Sequence, residues 1–250
     1  MTKQDEIEIT LIIPVYDEEK NIVDLFVEID KKIEHPHKAL IIYDRDDDTT
    51  LKNKDTLVNQ YQNIQFVKNE FGHGVIDAFK TGFQMADTKY IVPIMADLSD
   101  MPETVNKMYD RIKEGYDLVV ASRYVAGGAK VGGPVIKYIL SRIANLSLHY
   151  LTGIPTHDMT NAFIMYRKHV VDGIEITSTG GFELTMEIMA KSYLQGYNIT
   201  EVPTINRDRK AGKSQFKLLA WIFKYIYWYF YLLSKTTMKS LMGYYKINDR

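Results

Sequence analysis

Five short runs of branched and aliphatic residues recur in the first half of the chain, and stretches with helical spacing separate most of them. That alternation constrains the fold more than any other feature. The runs are ITLIIPV (9–15), ALIIY (39–43), IQFVK (64–68), YIVPIM (90–95) and DLVVA (117–121). Continuous apolar runs suit strands buried on both faces. EKNIVDLFVEIDKKI (19–33), Val75 to Ala86 and Pro102 to Glu114 have the spacing of amphipathic helices. Strands alternating with helices imply right-handed crossovers and a mostly parallel sheet. Ligands of such sheets sit outside the carboxyl ends of the strands. The loops PVYDEE, YDRDDDTT, the Asp97 loop and SRYVAGG therefore converge. The second half is less regular: helices over Pro134 to Leu151 and Phe182 to Leu194, then a strand ITEVP (199–203). No internal repeat or low-complexity linker is visible.

At 250 residues the chain holds one large or two small domains, with ample core material. It has no cysteine, which excludes disulfide and thiolate-metal chemistry and suits a reducing compartment. The start, MTKQDEIEIT, is polar and leads into a strand, so it reads as something other than a signal peptide. Net charge is −1, unevenly spread. From Arg207 to Arg250 there are ten Lys or Arg and two Asp, which leaves an acidic body with a basic tail. Such a tail suits an anionic partner, nucleic acid or a membrane surface.

The loops carry the chemistry. YDRDDDTT (43–50) offers Asp44, Asp46, Asp47 and Asp48. Asp and Thr there suit a helix N-cap, while Asp44 at a strand tip suits a base or ribose. FGHGVIDAFKTGF (71–83) places Gly72 and Gly74 before a helix start, where backbone can approach a phosphate. It is neither a P-loop nor a dinucleotide fingerprint, and taken alone it reads more readily as a plain glycine turn. YIVPIMADLSDMPE (90–103) puts Asp97 and Asp100 at a strand's carboxyl end. Met95 lies two residues before Asp97, and a thioether is a poor ligand for a hard cation. Magnesium needs only one or two protein carboxylates when water and substrate phosphates complete its shell. Asp97 alone is therefore expected to hold Mg2+ or Mn2+ together with a diphosphate, and to bind it weakly without one.

FKLLAWIFKYIYWYFYLL (216–233) is rich in aromatics, with Lys224 near its centre. At 100° per residue, Lys213, Lys217, Lys224, Trp228, Tyr231 and Lys235 share one side, and Leu219, Ile222, Phe223, Ile226, Phe230 and Leu233 the other. A central lysine is costly in a spanning helix. The stretch fits a helix lying in a membrane interface, with its lysines facing anionic lipid. The alternatives are packing on the body, packing on a second subunit in a homo-oligomer, or a spanning anchor. The apolar face is too continuous for nucleic acid.

Seven segments occur in order: IIPVYDEEKNI, YDRDDDTT, NEFGHGVIDAFKTGF, MADLSDMPE, ASRYVAGG, SRIANLSLHYLTGIPTHDMTNAFIMYR and DRKAGKS. Together, over about residues 8 to 216, they resemble the family-two inverting glycosyltransferases of the dolichol-phosphate mannose synthase type. The resemblance implies an α/β fold of GT-A type over residues 1–212, a basic aromatic tail over 213–250, a nucleotide-sugar donor and a divalent metal. By position it implies that Pro14, Tyr16, Glu18, Asp44, Gly72 and Ala96 line the nucleotide. Tyr43 replaces the first acidic residue of the second-strand motif, and Met95 the first Asp of an Asp-Ala-Asp triplet. It implies Asp97, with Ser99 beside it, as the metal site. Arg123, Arg142, Arg209 and Ser214 fall to phosphates, and Asp158 to the sugar.

The expectation is transfer of a hexose from GDP-mannose or UDP-glucose to a polyprenyl phosphate, with inversion, by a protein of the cytoplasmic membrane surface. Asp97, Asp158, Arg123 and Arg209 are its expected catalytic residues. A phosphomonoester is largely dianionic at neutral pH and needs cations rather than a general base. The alternatives are a hydroxyl acceptor with Asp158 as base, and a non-catalytic nucleotide-sugar-binding protein.

Overall fold

The computed structural model describes residues 6–209 and 218–248, with side chains described over 6–209 and 222–238. Seven strands form the central sheet: β1 (Ile9–Pro14), β2 (His37–Tyr43), β3 (Ile64–Lys68), β4 (Tyr90–Pro93), β5 (Leu118–Ser122), β7 (Ile164–Arg167) and β8 (Ile199–Pro203). Their order across the sheet is β3-β2-β1-β4-β7-β5-β8. All run parallel except β7, which is antiparallel to both of its neighbours. The mostly parallel sheet expected from the alternation is present, with one reversed strand near its middle.

Helices cover both faces, as buried parallel strands require. Ile9, Leu11 and Ile13 of β1 point to a core shared with α1 (Ile22–Lys32), α2 (Lys54–Gln60) and α4 (Thr104–Lys113). Ile12 points the opposite way, to a core shared with α3 (Val75–Met85), α5 (Val135–Thr152), α6 (Lys168–Asp172), α7 (Leu184–Gln195) and α8 (Leu218–Asn248). The period-two alternation of a strand thus feeds two cores. Gly82 lets α3 lie close on β1, since a Cβ there would stand 2.6 Å from the Ile12 side chain.

A parallel ribbon of β6 (Ala129–Val131) and β9 (Ile205–Arg207) lies apart from the main sheet. It is tied to the Asp97 loop, because the Arg207 amide donates to the Ser99 carbonyl at 2.9 Å.

The tail is helical as expected, but its lysine side does not face outward throughout. Trp228 and Leu232 are buried in the core. Trp228 donates its indole N–H to Ser178 at 3.0 Å, and Lys224 donates to Thr179 at 3.0 Å. Phe223, Ile226 and Phe230 are exposed. The indole's area drives docking of that side, and both polar heads find partners there, so the apolar stripe is left outward. The expectation that the Lys224–Trp228 side meets lipid is thereby corrected. Among the described residues no helix is long and apolar enough to cross a membrane.

Candidate functional site

The carboxyl ends of β1, β2, β4 and β5 meet at one rim. The reversed strand matters here. Because β7 runs antiparallel, the loop before it, Asp158 to Phe163, arrives at the same rim as the loop after β5. Arg123 and Asp158 therefore face each other across 35 residues of sequence. Arg123 Nε donates to Asp158 Oδ2 at 2.7 Å and Nη2 to Oδ1 at 2.8 Å. The Arg123 amide adds a third bond to Oδ2, and Nη2 also reaches Thr160 Oγ1. Asp158 is fully buried. Burial alone would lower the Arg123 pKa, but the Asp158 carboxylate more than reverses that and raises it.

Sequence reading missed Lys130 of β6. Burial, reinforced by the nearby Arg123 cation, lowers its pKa, with Asp208 and Asp158 opposing. Lys130 and Arg123 thus crowd positive charge at one corner of the rim. The pairing of β6 with β9 brings Lys130 there, and no local spacing signals it.

The first two strand tips are knitted together. The Asp17 amide donates to both Asp48 oxygens at 3.2 Å, and Asp17, at φ 55°, accepts from Arg45. Pro14 ends β1, and Tyr16 beyond it is exposed with the Arg45 guanidinium over its ring at 4.8 Å. Glu18 accepts from Asn21, and burial raises its pKa, with the Asp97 charge adding. Asp44 already serves the protein: it accepts from Asn69 at 2.8 Å and from the Gly74 amide at 2.7 Å. The glycine turn thus caps onto Asp44. Gly74, at φ 95°, and Gly72, at φ 141°, need glycine's freedom for that turn.

At the tip of β4, Ala96 is buried and Met95 packs against the core. The Met95 amide donates to Asp100 at 3.1 Å. Burial pushes the Asp100 carboxyl up to about 7. Its second oxygen accepts from Asn206, so Asp100 braces the loop against β9. Asp97 accepts from the Ser99 amide on one oxygen and from Arg209 Nη2, at 2.9 Å, on the other. Among the described residues no cluster of three or more His, Asp or Glu is arranged to hold a metal. Asp97, with Ser99 beside it, fits a hard cation only when a diphosphate and water supply the other oxygens.

Arg142 is exposed on α5, next to exposed Ile143. Ser214 lies outside the described residues. A cavity of about 580 Å3 lined by Tyr116, Tyr193 and Tyr197 lies at the start of β8, the end of the sheet remote from the rim.

This rim and sheet are those of a GT-A-type nucleotide-sugar fold. The glucosyl-3-phosphoglycerate synthase of Mycobacterium tuberculosis, solved with Mn2+, UDP and glucosyl-3-phosphoglycerate, shares it at TM-score 0.69. That likeness covers 92% of this chain and 80% of that one at 16% identity. Staphylococcus aureus TarS, residues 1–349, solved with UDP-GlcNAc, matches at TM-score 0.58, covering 82% of this chain and 60% of that one at 17% identity. The model of glycosyl transferase family 2 matches residues 10–174, and the chain belongs to that family. It is 29% identical over 214 residues to the dolichol-phosphate mannosyltransferase of Pyrococcus furiosus, covering 84% of this chain and 59% of that protein. It is 26% identical over 211 residues to the polyprenol monophosphomannose synthase of Mycolicibacterium smegmatis, covering 82% and 79%. The match thus spans less than two thirds of the Pyrococcus furiosus protein's length.

Proposed function

We propose that the protein transfers a hexose, with inversion, from a nucleoside diphosphate sugar to a polyprenyl phosphate held at a membrane surface. One observation carries this reading: the rim gathers Arg123, Lys130 and Arg209, while the buried carboxylate there, Asp158, has both oxygens engaged by Arg123. A hydroxyl acceptor needs a base to take its proton. Asp158 is poorly placed for that, being fully buried and saturated. A phosphate acceptor arrives largely deprotonated and needs positive charge rather than a base to hold it. The matches to polyprenyl-phosphate mannosyltransferases support the same acceptor class.

Asp97 is the residue that would hold Mg2+ or Mn2+, which when bound would neutralise charge on the departing nucleoside diphosphate. Tyr16 and Glu18 stand on the nucleotide side of the rim. Arg123 and Lys130 orient the acceptor phosphate on the opposite side. A phosphate oxygen forms the new bond to the anomeric carbon as the bond to the diphosphate breaks, which inverts that carbon. The outward apolar faces of α5 and α8 support action at a lipid surface.

The test is turnover of labelled GDP-mannose and UDP-glucose with a polyprenyl phosphate in detergent. Label is expected in the organic phase, released by mild acid as a glycosyl phosphate should be. Absence of transfer from both donors, or an acid-stable product, overturns the reading.

A further inference from the structure

Asp97 is the acidic side chain offered to a metal at the rim, and in the ligand-free chain a cation already sits on it. Arg209 Nη2 donates to Asp97 Oδ2 at 2.9 Å, and the other oxygen accepts the Ser99 amide. The pair is only partly exposed, with 25% of the Arg209 side chain and 14% of the Asp97 side chain accessible. Arg209 is held there by structure rather than by chance: it follows β9, whose Arg207 amide and Asn206 side chain both bond the Ser99 carbonyl. Met95, a thioether packed against the core, supplies no second carboxylate. A dication arriving alone must therefore displace Arg209 and approach against its charge, with one carboxylate in return.

We propose that Arg209 is an exchangeable internal cation that makes metal loading at Asp97 depend on the nucleotide. This rests on the proposed donor site. Arg209 occupies Asp97 until a diphosphate is present; the phosphates then take the guanidinium and release the carboxylate. Arg209 thereby becomes a positioning residue for the leaving group, and part of the mutual enhancement between metal and nucleotide passes through it. Such coupling is reciprocal, so each ligand must raise the affinity of the other by the same factor.

The experiment is Mn2+ titration of the full chain, followed by the paramagnetic signal of free manganese, without nucleotide and with GDP or UDP. Without nucleotide, Arg209→Gln is expected to bind Mn2+ about five- to tenfold tighter than the native chain, because a competing ion pair and a nearby like charge are gone. With nucleotide the sign reverses: the variant binds the Mn2+–nucleotide pair more weakly. Arg209→Lys keeps a cation and is expected to keep the native pattern. Adding Asp97→Asn to Arg209→Gln is expected to abolish the gain, which assigns it to this carboxylate. An Arg209→Gln variant that binds Mn2+ no tighter without nucleotide, or a gain that survives loss of Asp97, overturns the inference. A native chain that binds neither Mn2+–GDP nor Mn2+–UDP overturns the proposed function instead.

Discussion

Asp158 takes three hydrogen bonds from Arg123 while fully buried, so its carboxylate is a structural counter-ion before it is anything else. Removing one partner of such a pair leaves a buried charge without compensation, at a cost of about 3–5 kcal/mol. Asp158→Asn should therefore lower the urea midpoint substantially and abolish transfer. Arg123→Met with Asp158→Leu should recover much of the stability and none of the activity. A double variant as unstable as the single one would contradict this. At this scale the sequence was informative where chemistry is local. Met95 in place of an acid is visible in the string, and its partly buried side chain packs against the core. The partnership of Arg123 with Asp158 was not visible, because it depends on which direction β7 runs. Nor was Lys130, whose position depends on a three-residue strand pairing 76 residues away.

Among the elements, strands and helices with strong periodicity were legible to within a few residues, β1 and α3 being examples. β7 was not assigned as a strand: AFIMYR has the composition of one, but nothing local shows that it inserts backwards between β4 and β5. The tail helix was legible as amphipathic, but which side docks was set by the indole of Trp228. Trp228→Ala should cost about 3–5 kcal/mol in cavity and lost contact. Trp228→Phe should cost less, chiefly the bond to Ser178, at about 1 kcal/mol. Equal midpoints for the two variants in urea would show that the indole fills no core. At the opposite end of the sheet, Glu8, just before β1, clasps Lys89, Tyr109 and Lys113. Bonds from Lys89 and Tyr109 hold its carboxyl down at about 2 against an ordinary 4.5. A carboxylate held low stabilises the fold above the unfolded value and loses that effect as pH falls towards the folded one. Glu8→Gln should thus destabilise the protein at pH 7 by about 1 kcal/mol, with the difference shrinking below pH 4.5 and gone near pH 2. A difference independent of pH, followed by thermal unfolding, would contradict the clasp.

For the whole molecule, α5 and α8 pack side by side, joined by Ser147 and Tyr229 hydroxyls at 2.9 Å. Both present apolar side chains outward: Ile136 is 73% exposed, Ile143 61%, Phe223 77% and Phe230 59%. Neither helix contains an Asp or Glu, while Lys137, Arg142 and Lys235 are exposed along them. Exposed apolar area marks an interaction surface, and apolar side chains accompanied by exposed cations on helices without an acidic residue match an anionic bilayer. A face of this kind beside the cationic rim would let an acceptor keep its chain in lipid while its phosphate reaches Arg123 and Lys130. Truncating the tail is a poor test, because it would also uncover the core under Trp228 and Leu232. Phe223→Glu with Phe230→Glu changes only outward positions, so the unfolding temperature should stay put while sedimentation with anionic vesicles drops. Lys137→Glu should weaken binding to the same vesicles at low salt and do little at high salt, since about 1 kcal/mol per basic side chain is all the surface potential supplies. Donor binding in detergent should be unchanged in all of these variants, because the substitutions lie away from Tyr16, Glu18 and Asp97. Native sedimentation by the double glutamate variant would mean that lipid is not what this face meets, and the acceptor would then have to reach the rim by another route.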